Sequence, residues 1–168
     1  RDVSMTAPEV RVRIAKVSAV LIPIYCGLTV LLWILLAVGG DTGLVALCHA
    51  MSVMATSGIS PVGGLTGASS GITGEAVMLL FMLFALSRLT FSTDTVTSDT
   101  GGLRTDPEFR IGIALVIFVP LVLFFRHYLG AFDVNAEDDL QGAARAFWGS
   151  AFTVLSFLTT TGFISANW

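Results

Sequence analysis

Ala55-Thr56-Ser57-Gly58-Ile59 and Thr159-Thr160-Thr161-Gly162-Phe163 are two versions of one phrase, 104 residues apart. The same shift sets Ser52 on Ser156. Each phrase closes a short apolar run, Val45 to Ala55 and Ala143 to Leu158, and each short run follows a longer one, Val17 to Gly40 and Ile111 to Phe125. The order of long run, short run, Gly/Thr strip and apolar run therefore occurs once in full and then begins again. An internal repeat constrains architecture before any single element is assigned.

The long runs set the environment. Charged residues make up 12% of the chain and hydrophobic ones 54%, where a globular domain in water carries about 25% charged residues. Val17 to Gly40 has no charge, and as a helix it extends about 36 Å, enough to cross a hydrocarbon layer of roughly 30 Å. Thr6-Ala7-Pro8-Glu9 before it has the form of a capping box with an early proline. Ala76 to Ser87 extends with its flanks to a second spanning helix over 72–93, in which Glu75 and Arg88 are end charges able to snorkel to the interface. A polar link from Ser92 to Glu108 leads to Asp106-Pro107, an N-cap and first helical position, and to a third span over 107–128. The expected fold is an all-α polytopic membrane protein. Residues 1–100 form one helix–pore helix–helix repeat (17–40, 45–55, strip 56–60, 72–93), and residues 101–168 begin a second (107–128, 143–158, strip 159–163). The chain opens on Arg1-Asp2 and stops at Trp168 inside that second repeat, so it reads as part of a longer protein.

The short runs are too short to span. A short helix followed by Gly-rich backbone suggests a re-entrant segment, which survives at membrane depth only against protein or a water-filled cavity. Positive charge orients the chain. With the N-terminus cytoplasmic, the inner segments hold Arg1, Arg11, Arg13, Lys16, Arg88, Arg104 and Arg110, against Arg126 and Arg145 outside, seven to two.

Two such strips suit a cation path. A dehydrated cation needs a cage of oxygens, and backbone carbonyls in an extended strip supply it, here those of Thr56, Ser57, Gly58, Thr160, Thr161 and Gly162. Glycine opens backbone angles closed to other residues, Ser and Thr add hydroxyl oxygens, and the negative end of a short helix favours a cation beyond it. Two strips cannot surround an ion, so four repeats are expected, from a longer chain or from assembly.

Ala46-Leu47-Cys48-His49-Ala50-Met51-Ser52 leading into Thr56-Ser57-Gly58 resembles the first pore loop of the Trk/Ktr/HKT potassium-transporter superfamily. Thr159 to Phe163 resembles its second, and Asp106-Pro107-Glu108-Phe109-Arg110 the segment that opens its second repeat. Ile59 stands where a Phe is usual, and Ala85-Leu86-Ser87-Arg88 replaces a more Gly-rich stretch. The resemblance implies four repeats around one potassium path in a cell membrane, with no cofactor besides the transported ion. It also implies a homodimer and a cytosolic ring of nucleotide-binding RCK subunits. With glycine at positions 58 and 162 it implies potassium rather than sodium transport.

Other patterns carry weaker readings. Gly67-Ala68-Ser69-Ser70-Gly71 fits the G-x-S-x-G nucleophile elbow, but that elbow needs a strand before it, and a flexible linker is the simpler reading. An intramembrane serine hydrolase using Ser69 or Ser60, or a structural membrane subunit without transport, are the alternatives. His49 lacks neighbours at ligand spacing and reads as a satisfied pore-helix histidine rather than a metal ligand. His127 beside Arg126 reads as interfacial, and the acidic run from Asp133 to Asp139 as a solvated loop. Cys26 and Cys48 read as small hydrophobes. The net charge of -3 gives no basis for a nucleic-acid partner.

Overall fold

The computed structural model describes residues 7–85, 107–130 and 140–168, and among them every regular element is helical. We number the helices α1 (Ala7–Val38), α2 (Gly43–Met54), α3 (Gly71–Ala85), α4 (Pro107–Gly130) and α5 (Leu140–Leu158), with a single 3-10 turn at Leu65–Gly67. Residues 86–93 of the expected second span, most of the polar link with Asp106, and the acidic run at 133–139 lie outside the described residues.

Helix α1 starts ten residues before the uncharged stretch, because Arg and Lys are good helix formers and nothing at Arg11, Arg13 or Lys16 stops it. It ends at Val38, two residues short of the sequence-based boundary. Gly40 takes φ 111 there, while Gly40 N–H donates to Ala37 O at 3.2 Å and Asp41 N–H to Leu36 O at 3.2 Å. That pair of bonds is a Schellman stop, which needs a residue in the left-handed region. Pro23 lies inside the helix, where it removes one N–H from the ladder. Helices α2 and α5 also begin earlier than their sequence boundaries, by two and three residues.

Ile14–Val38 is long and apolar enough to cross a membrane, and only 11% of its apolar window is buried within the protein. A core helix of comparable hydrophobicity would be mostly covered. Here Ile14, Val17, Val20, Ile22 and Ile24 all stand exposed. Among the described residues this is the one helix that meets the length and apolarity of a span.

The core lies at the other end of α1. Leu32 and Leu36 of α1 meet Ala46, Ala50 and Val53 of α2, spaced along one helical face. Leu65 of the 3-10 turn, Met78, Phe81 and Met82 of α3, Phe152 and Leu155 of α5, and Phe163 complete one cluster. The small Ala46 and Ala50 let α1 and α2 approach closely. Trp33 adds a hydrogen bond from Nε1 to Gly43 O at 2.9 Å. Helix α4 packs against α5.

The glycine-rich stretch between α2 and α3 is pinned, contrary to the expectation of a flexible linker. Asp41 Oδ1 accepts the backbone N–H groups of Ser69 and Ser70 at 2.8 Å each, and Oδ2 accepts Ser70 Oγ–H at 2.9 Å. The buried carboxylate holds the start of α3 against the end of α1. Asp41→Ala removes all three acceptor contacts and is expected to destabilise the fold by about 2–4 kcal/mol. Thermal unfolding in detergent measures this, and a loss no greater than that of an exposed control substitution would contradict the role.

Candidate functional site

The two strips end their helices in the same way. In α2, Ala55 N–H donates to Met51 O, Thr56 N–H to Val53 O and Ser57 N–H to Ser52 O, at 2.9, 3.2 and 2.9 Å. In α5, Thr159 N–H donates to Leu155 O, Thr160 N–H to Phe157 O and Thr161 N–H to Ser156 O, at 2.9, 3.0 and 2.8 Å. Every donor and acceptor is displaced by the same 104 positions. The last two bonds of each set form a Schellman stop like that of α1, but the left-handed position is filled by threonine. Thr56 has φ 49 and Thr160 φ 61, and they are the two non-glycine residues with positive φ among the described residues.

Threonine is a poor occupant of that conformation. Its branched Cβ crowds the following carbonyl at a cost of about 1–2 kcal/mol, and the same motif in α1 uses glycine. Strain that recurs at two equivalent places is a pointer to function. Two residues further on, Gly58 and Gly162 are again left-handed, with φ 66 and 80. Thr56, Gly58, Thr160 and Gly162 thus have positive φ, while Ser57 and Thr161 between them do not.

The strips touch each other. A Cβ added at Gly58 would overlap the carbonyl oxygen of Thr161, whereas one added at Gly162 meets nothing within 4 Å. The hydroxyls read from the sequence as extra ion-facing oxygens are partly engaged within the protein. Ser57 Oγ–H donates to Ser52 Oγ at 3.2 Å, and Thr159 and Thr161 pair through their hydroxyls at 3.0 Å. The fifth positions diverge, with Ile59 69% exposed and Phe163 2% exposed in the core. The residues singled out from the sequence therefore form two strips that match in backbone over their first four positions and adjoin at Gly58 and Thr161.

Glu75 corrects the sequence reading most. It does not snorkel from a helix end; it is buried, and it holds the tail of the second strip. Its carboxylate accepts Ala166 N–H at 2.7 Å, Ser165 Oγ–H at 2.9 and 2.8 Å, and Trp148 Nε1–H at 2.9 Å. The available signal was a lone acid in an otherwise apolar stretch, which inside a membrane protein usually marks a paired group. Asp41 offered the same signal. His49 is only half satisfied: Nε2 lies 2.8 Å from Ser60 Oγ, while Nδ1 has no hydrogen bond and faces Asp41 Oδ2 at 3.8 Å. Among the described residues, no three His, Cys, Asp or Glu side chains converge as a metal site.

Compared with protein families, curated proteins and solved structures, the chain matches none.

Replacing a strained threonine by glycine separates strain from stability. Thr160→Gly is expected to leave the fold as stable or up to about 1 kcal/mol more stable, because the Cβ penalty goes while unfolded-state entropy rises. Thermal unfolding beside Thr66→Gly, where no positive φ is involved, provides the comparison, and a larger loss at Thr160 would refute strain at that position.

Proposed function

We propose that this chain contributes two of the four strips of a potassium-conducting pore in a transporter similar to the Trk/Ktr/HKT superfamily. The observation that carries the proposal is the matched pair of left-handed threonines, each followed two residues later by a left-handed glycine. A strip whose φ alternates in sign turns successive carbonyls toward one side, as a cation cage requires. The helices preceding both strips present their C-terminal, partially negative ends to the strip. In this reading α1, α3 and α4 cross the bilayer, α2 and α5 are re-entrant, and the N-terminal side is cytoplasmic, as the positive-charge bias suggests. Gly58 closed by the second strip and Gly162 open to its far side suit two neighbours in a ring whose next member would adjoin Gly162. That further pair comes from the same polypeptide or from assembly. A homodimer and a cytosolic nucleotide-binding ring belong to the same proposal, and the ion is the only ligand it needs.

A serine hydrolase has one observation in its favour, the line from Asp41 through His49 to Ser60. Against it, Ser60 Oγ accepts Val62 N–H at 3.3 Å, which engages the oxygen within its own turn, and Asp41 Oδ2 lies 3.8 Å from His49 Nδ1 with no hydrogen bond between them. A fluorophosphonate probe is expected to leave Ser60 unlabelled, and covalent labelling lost in Ser60→Ala would favour the enzyme.

The decisive measurement is ion flux through the full polypeptide that contains these segments, in cells lacking potassium uptake. Gly58→Ser brings a side chain against the Thr161 carbonyl and into a left-handed backbone position. It is expected to lower the potassium-to-sodium permeability ratio roughly tenfold, the scale of one overpacked contact. An unchanged ratio at normal surface expression would remove Gly58 from the ion path.

A further inference from the structure

Each strip is followed by a segment that the preceding short helix holds from the side. In the second unit, Thr153 Oγ1 accepts Ser165 N–H at 3.2 Å. In the first, His49 lies 2.8 Å from Ser60 Oγ. Positions 49 and 153 differ by the same 104 residues that relate the strips, so one helix position reaches the chain beyond its strip twice. The partners are one residue out of register, a side chain in the first unit and a backbone N–H in the second. His49 reaches further than Thr153. Its ring packs edge-on against Phe163 of the second strip, with centroids 5.6 Å apart at 81°, and its other nitrogen faces Asp41.

The hydrogens follow from the acceptors around them. Nδ1 faces a carboxylate oxygen at 3.8 Å, beyond hydrogen-bond distance. The carboxylate's charge favours the tautomer with its hydrogen on Nδ1, since a bare lone pair there would oppose another lone pair. Nε2 is then an acceptor, and the Ser60 hydroxyl donates to it. Gly64 O, at 3.3 Å, is the more distant claimant on that single proton. Asp41 thereby sets the tautomer, the tautomer sets the Ser60 hydroxyl, and the hydroxyl holds the exit of the first strip.

We propose that His49 is a positioning residue for ion selection, fixing the first strip through Ser60 and the second through Phe163. The inference rests on the two strips being a cation path. The test uses the full polypeptide in potassium-uptake-deficient cells and reads the potassium-to-sodium permeability ratio beside surface expression. Ser60→Ala, which removes only a hydroxyl, is expected to lower the ratio about fivefold, the scale of one hydrogen bond. His49→Ala should lower it at least as much, and the double variant no further than His49→Ala, because the two side chains act through one bond. His49→Gln, which keeps a hydrogen-bonding group at the Nε2 position, should recover most of the ratio. A Ser60→Ala protein with normal expression and an unchanged ratio, additive losses in the double variant, or a Gln variant as impaired as Ala would each overturn the role of His49. Absence of cation flux in the wild type would overturn the pore reading itself.

Discussion

The carboxylate of Glu75 is the constraint on which the arrangement of the two units depends. It sits near the start of α3, yet two of its three donor groups belong to Ser165 and Ala166 and the third to Trp148. A carboxylate buried in apolar surroundings must find several donors or be strongly disfavoured. The chain resolves this by bringing the tail of the second strip to α3, and that fixes where α5 lies against the first unit. Asp41 solves the same problem at shorter range, closing the first unit on itself. One buried acid organises a unit and the other joins two.

Between these two clamps lies a backbone that local preference would not choose. Schellman stops relax when glycine takes the left-handed position, as Gly40 does. At Thr56 and Thr160 the surrounding structure over-determines the conformation instead: the helix behind, the neighbouring strip beside, and the held tail ahead. The packing that stabilises the molecule and the strain at the strips are therefore linked. Core residues such as Val53, Leu155 and Phe163 oppose the tendency of the strips to relax.

The repeat, the helical class and the places of the strips were legible because they rest on patterns within single segments: apolar length, glycine spacing, and a shift of 104. Most helix ends were off by no more than three residues; α1 starts ten early, because basic residues extend a helix past the apolar run that announces it. What escaped was everything made by convergence. Glu75 looked like an interfacial charge because its donors lie 73 to 91 residues away in the chain. Ser69 and Ser70 looked like linker because only the fold shows Asp41 beneath them. His49 looked satisfied because a sequence does not show which of two ring nitrogens has a partner.

The separation in sequence between Glu75 and its donors also bears on how the protein is made. Asp41 meets its partners 28 and 29 residues on, soon after they are synthesised. Glu75 waits for Trp148, 73 residues later, and for Ala166, 91 residues later. At translation rates of about 5–20 residues per second, that is an interval of roughly 4–20 s. Throughout it a carboxylate belongs to an apolar helix without the donors that its buried position requires. The packing of α3 is therefore provisional until α5 and the tail that follows it have been synthesised. The first unit is complete as chain long before it is complete as structure, and the second supplies the donors it lacks.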